Sequence, residues 1–113
     1  MTQRENENPN FNPNPNTNPD LRINPLTEAN VKYAWNLTQQ EHWGLVLGEL
    51  ENLFHCYEGG KYLCTLHDSP IATIFGTAYD SLGFIGNLIV ESKFRNQGIG
   101  THLLQHLLDY FQQ

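Results

Sequence analysis

Arg95, Gly98 and Gly100, in the run Arg95-Asn96-Gln97-Gly98-Ile99-Gly100, are residues whose types and spacing suit the capture of an anion. The chain reaches them through Leu88-Ile89-Val90, an apolar run of strand length, then Glu91 and a turn bearing Lys93. Beyond them Leu103, Leu104, Leu107, Leu108 and Phe111 recur at helical spacing, so the glycines open an amphipathic helix. The first amides of a helix have no partner within it and carry the positive end of its dipole. Two glycines there let backbone approach a phosphate closely, and Arg95 adds a fixed positive charge beside it.

Two common phosphate loops are disfavoured by the residues that follow, which leaves a nucleotide-binding protein of another kind as a third reading. A nucleoside-triphosphate loop ends in Gly-Lys-Ser/Thr, whereas Gly100-Thr101 lacks the lysine. A dinucleotide fingerprint requires a third glycine where Leu103 stands. What remains, R-N-Q-G-I-G between a strand and a helix, resembles the Q/R-x-x-G-x-G/A signature of the GNAT superfamily of N-acetyltransferases. The resemblance implies that Arg95, Asn96, Gln97, Gly98, Ile99, Gly100 and Thr101 hold the pyrophosphate of acetyl-coenzyme A. Leu88, Ile89 and Val90 would then form the edge that takes its pantetheine arm. The family often has a proline at the position of Ser92 and a glycine at that of Asn96; neither departure removes a donor.

The same resemblance implies direct transfer of an acetyl group from the thioester to an amine. A base takes the ammonium proton, and a tyrosine on a fourth helix often protonates the departing thiolate. We expect no fourth helix within these 113 residues, and Tyr110, near the end of the third, reads as a packing residue. Glu91 closes the strand that approaches the thioester and is the candidate base. Asn87, polar within an apolar strand, either orients an acceptor or satisfies neighbouring backbone. Trp35 and Trp43 suit the core better than an acceptor pocket. His102 and His106 have zinc-compatible spacing, but they share a polar face with Gln105 and Asp109 and lack the glutamate of H-E-x-x-H. We expect no metal. Cys56 and Cys64 form no C-x-x-C pair and read as reduced packing residues.

Length and composition bound what positions these groups. The 113 residues suffice for one domain. In the first twenty, asparagine occupies every even position from Asn6 to Asn18, interleaved with prolines, which predicts a disordered tail over 1–20. No cationic segment precedes an apolar one and no run reaches membrane-spanning length, so a soluble, cytoplasmic protein with no membrane partner is expected. From Leu21 onward nine acidic residues face five basic ones, which disfavours nucleic acid.

Leu21–Leu26 reads as an edge strand, and Thr27 as the cap of a short helix with Val31, Ala34 and Trp35 inward. Thr38-Gln39-Gln40-Glu41 has the form of a capping box, predicting a second helix with Trp43, Val46, Leu47, Leu50 and Phe54 on its buried face. Turns at Glu58–Lys61, His67–Pro70 and Asp80-Ser81 delimit three strands in a meander. The last of these, Leu82–Val90, is apolar on both faces, as a covered central strand would be. The order βααβββα resembles the first two thirds of a GNAT domain over 21–113.

The expected fold class is therefore α/β: a GNAT-like acyl-CoA N-acyltransferase fold, its mixed and mostly antiparallel sheet flanked by helices and lacking the C-terminal strands and helix. The missing part would come from further chain or from a second copy in a homodimer. The expected function is acetyl transfer from acetyl-CoA to a small-molecule or peptide amine. The contrasting expectation is a non-catalytic acyl-CoA-binding module, or an inactive remnant of an acetyltransferase.

Overall fold

The computed structural model describes residues 11–56, 59–79 and 82–112. Four strands, Leu21–Pro25 (β1), Lys61–Leu66 (β2), Ser69–Tyr79 (β3) and Leu82–Val90 (β4), pair antiparallel in the order β1-β2-β3-β4. Three helices accompany them: Val31–Gln40 (α1), Leu47–Cys56 (α2) and Ile99–Phe111 (α3). Short 3-10 turns stand at Glu28–Asn30 and Ser92–Phe94. The meander and the element order follow the sequence pattern. The expected turn residues Glu58, Asp80 and Ser81 lie outside the described residues, as do residues 1–10 of the tail.

Alternation along the strands divides the core into two. Leu63 and Cys64 are neighbours on β2 and so enter opposite faces of the sheet. Leu63 packs with Leu26, Val31, Ala34, Leu50 and Phe75 beneath α1 and α2. Cys64 packs with Leu21, Ala72, Ile74, Leu103 and Leu107 beneath α3. Burial pushes the Cys64 thiol up to about 12, so it remains protonated and inert, as its packing role requires. α3 approaches the sheet closely at Gly76, where an added Cβ would stand 2.5 Å from Leu107 Cδ1.

The second helix does not begin at its expected cap. Thr38 lies buried inside α1, where its hydroxyl donates to the Trp35 carbonyl at 2.7 Å, and Glu41 stands at the helix end. A threonine within a helix can bond back to the preceding turn, which competes with its use as a cap. His42 and Gly44 then adopt φ of 58° and 69°, interrupting the helix until α2 begins at Leu47. The Trp35 indole donates to the Leu45 carbonyl at 2.7 Å and pins this connection. Trp43 and Val46 are exposed in it rather than buried, whereas Leu50 is fully buried. Thr27 meets its expectation in part: it bonds reciprocally with Asn30, but around a 3-10 turn ahead of α1.

β4 is the last strand of the described sheet rather than a central one. Ile89, near its end, is buried, while Ile85 is 44% exposed. Between these the pairing with β3 slips, from Thr73 opposite Ile89 to Phe75 opposite Gly86. Asn87 takes the left-handed conformation there, with φ of 53°. The irregularity gives β4 an extra residue, bending the strand before it reaches the Gly-rich turn.

Residues 11–20 differ from the disordered tail that their composition suggests. Asn12, Asn14 and Asn18 each accept, through the side-chain oxygen, the backbone N–H two residues on, at 3.0, 2.9 and 3.0 Å. The intervening residues are Pro13, Pro15 and Pro19, whose fixed φ holds each such turn. The alternation is thus a series of Asx turns. Asn18 Nδ2 also donates to the Asn12 carbonyl at 2.7 Å, closing the segment on itself. Phe11 anchors it on the core beneath α3.

Candidate functional site

The antiparallel meander brings the start of β1, the β2–β3 turn, the end of β4 and the start of α3 to one end of the sheet. Glu91 leaves β4 there with its N–H still donating to the Ile71 carbonyl at 2.8 Å, so the sheet fixes its place. Its carboxylate accepts a 2.9 Å hydrogen bond from the Tyr33 hydroxyl on α1. Burial raises the Tyr33 phenol well above its ordinary value, and the hydrogen bond and charge of Glu91 act in the same direction. Tyr33 is therefore a neutral O–H donor.

Arg95 is held by two groups. Its Nε donates to the Val90 carbonyl at 2.9 Å, and its terminal nitrogen pairs with the Glu41 carboxylate at the end of α1. The guanidinium thus braces the strand end against α1, and Glu41 offsets part of the charge it offers an anion. Lys93, exposed in the 3-10 turn, adds a second positive charge.

The backbone between Arg95 and α3 passes through left-handed residues at Asn96 and Gly98, with φ of 63° and 91°. Asparagine and glycine tolerate this conformation best. Ile99 is buried and anchors the helix in the core. The first helical bond runs from His102 N–H to the Gly98 carbonyl at 3.2 Å, so the amides of Ile99, Gly100 and Thr101 precede it in the chain. A Cβ at Gly100 would have Val90 Cγ2 as its nearest neighbour, at 3.8 Å. The open helix start and the end of β4 therefore stand side by side.

Leu88 and Val90 are half-buried beside this opening, but Ile89 turns its side chain into the core. Only its backbone can serve as part of a pantetheine edge. Tyr110 packs near Tyr62 and against Phe111, with ring centroids 6.4 and 5.5 Å apart. His106 lies edge-on to Tyr62 at 4.4 Å. Among the described residues no group of three or more His, Cys, Asp or Glu is placed to hold a metal ion, and no helix is long and apolar enough to cross a membrane. Sequence reasoning missed Tyr33 and gave Glu41 a different task. The first stands beside the Val31, Ala34 and Trp35 stripe with no local spacing to mark it; the second was absorbed by its capping-box spacing.

A family model, described as the acetyltransferase (GNAT) family, matches residues 25–113. The chain belongs to this family, whose members use an acyl-CoA. Holothin acyltransferase from Pseudoalteromonas sp. (strain SANK 73390) is 32% identical over 79 residues, which cover 69% of this chain and 26% of that protein. The chain thus spans about a quarter of the length of that curated relative. The Ard1 structure from Thermoplasma volcanium superposes with a TM-score of 0.74 at 17% identity, covering 82% of this chain and 64% of that one. The ribosomal-protein-S18-alanine N-acetyltransferase from Escherichia coli gives 0.71 at 18% identity, covering 80% and 59%. At such identities the superpositions establish the GNAT fold, of which the described elements form the strand–turn–helix part and what precedes it.

Proposed function

We propose that this chain carries the coenzyme-binding part of an N-acetyltransferase, which moves an acetyl group from acetyl-CoA to an amine. The observation that supports it most is the approach of Gly100, at the open start of α3, to Val90 at the end of β4. Amides of residues 97–101 would take the pyrophosphate, and the backbone of Leu88, Ile89 and Val90 the pantetheine arm. Acetyl-CoA supplies the activated thioester. Glu91, held by the sheet and by Tyr33 where β4 ends, would take the ammonium proton of an acceptor, directly or through water. The amine nitrogen then bonds to the carbonyl carbon as the carbon–sulfur bond breaks, and the thiolate takes up a proton.

The acceptor is a small-molecule or peptide amine, and the acidic balance of the chain favours a cationic one. A buried, protonated Cys64 fits a reducing, cytoplasmic setting. The reading is tested by calorimetry with coenzyme A, ATP and NAD on the folded chain. Coenzyme A should bind with clear preference; equal or tighter binding of NAD would overturn it.

A further inference from the structure

The Asn-Pro segment, which the proposed function leaves without a task, lies directly on the Gly-rich turn. A Cβ built on Gly98 would stand 3.2 Å from Pro13 Cγ and 3.3 Å from its Cβ, so the proline ring fills the space left by the missing side chain. Between segment and turn is a cavity of about 480 Å³, within the range that holds small ligands. Phe11 and Phe94 contribute aromatic walls, Asn12 and Asn18 carboxamides, and Lys93 a positive charge from the turn.

We propose that this cavity takes the nucleotide end of the coenzyme, a 3′-phosphorylated adenosine, and that the Asn-Pro segment is a wall of the coenzyme site. The inference rests on the coenzyme reading above. A purine has a flat face that stacks on aromatic rings and an edge that alternates donor and acceptor. Carboxamides offer both. A phosphate requires a cation, which Lys93 supplies. The one acidic group among the lining residues, Asp20, lies 3.7 Å from His67 Nδ1, and its carboxylate suits an exocyclic amine rather than a phosphate. The geometry also gives the Asx turns a purpose. They hold Asn12, Pro13 and Asn18 against a turn that must stay in register with its ligand.

The test measures binding of coenzyme A, 4′-phosphopantetheine and adenosine 3′,5′-bisphosphate to the full chain and to the variants Phe11→Ala and Lys93→Ala. Lys93 is exposed, so its variant keeps the fold if the Phe11 variant does not. Both variants should weaken coenzyme A and the bisphosphate about tenfold, the loss of one charge-assisted or stacking contact, while 4′-phosphopantetheine stays within about twofold. Equal weakening of coenzyme A and 4′-phosphopantetheine by Lys93→Ala, or no weakening of either, would overturn the inference and leave the coenzyme reading standing. So would equal affinity of the unmodified chain for coenzyme A and 4′-phosphopantetheine. If the unmodified, folded chain binds none of the three, both readings fall.

Discussion

Tyr33 and Glu91 are 58 positions apart in sequence and meet through a 2.9 Å hydrogen bond from phenol to carboxylate. The contact ties α1 to the end of β4 at the point where the Gly-rich turn begins. It fixes the Glu91 carboxylate at this end of the sheet and ties its orientation to α1.

Removing the hydroxyl should have a measurable cost. Tyr33→Phe keeps the ring against Leu63 and its neighbours but leaves Glu91 without this donor. A hydrogen bond to a charged group contributes about 1.5–3 kcal/mol when well shielded. With both residues only half-buried, we expect a loss of about 1 kcal/mol in urea unfolding at neutral pH.

The same pair sets an alkaline limit. The folded phenol titrates above its ordinary value of 10.0 because burial disfavours the phenolate. Its contribution is therefore complete below that value and is lost as pH rises toward the folded one, where the unfolded chain has already ionised. Stability should fall above about pH 10 in the native chain and fall less steeply in Tyr33→Phe. Parallel alkaline profiles in the two proteins would contradict this assignment. Cys64 adds a second slope over neighbouring pH values in both, since its thiol is also raised.

The Arg95–Glu41 pair should behave as a brace. Their side chains are 39% and 30% exposed, so solvent screens the attraction substantially. A double-mutant cycle with Arg95→Ala and Glu41→Ala should yield a coupling of about 0.5–1 kcal/mol that shrinks with added salt. Arg95→Ala should cost more than Glu41→Ala, because it also deprives the Val90 carbonyl of its Nε donor. Equal single-mutant losses with no coupling would place Arg95 outside this role.

Thr73 offers a change in the opposite direction. Its side chain is buried on β3, and Oγ1 has no hydrogen-bond partner. An unsatisfied buried hydroxyl costs about 1–3 kcal/mol, and valine has nearly the same shape. Thr73→Val should raise stability by about 1 kcal/mol in thermal or urea unfolding. A loss instead would mean that the hydroxyl is solvated.

The strand, turn and helix around Arg95 were legible because their information is local. Val90, Arg95, Gly98 and Gly100 lie within a few residues, and their types match the backbone conformations they adopt. Tyr33 and Glu41 were not legible, since their roles depend on how α1 crosses the sheet. Thr38 misled for a related reason: Thr-x-x-Glu has the spacing of a cap, but the helix that uses these residues had begun at Val31. The Asn-Pro tract misled through composition. A low apolar content implies disorder on average, whereas proline between asparagines builds successive side-chain turns that need little burial.

Gly98 and Gly100 should respond differently to the same substitution, and the difference separates fold from function. At Gly98 a methyl group meets both a φ of 91° and the Pro13 ring at 3.2 Å, so Gly98→Ala should destabilise the chain by about 1–2 kcal/mol. At Gly100 the backbone is helical and the nearest neighbour, Val90 Cγ2, is at an ordinary 3.8 Å. Alanine also favours a helix over glycine by up to about 1 kcal/mol, so Gly100→Ala should leave stability unchanged or slightly raised. Yet its methyl would occupy the space between the helix start and the strand end, where the pyrophosphate is expected. Coenzyme A affinity should fall about tenfold or more, the effect of losing one charge-assisted contact, and Gly100→Val should lower it further. Melting curves and calorimetry on the same samples decide the matter. If Gly100→Ala melts as the native chain does and binds coenzyme A equally well, the opening between α3 and β4 is not where the coenzyme sits.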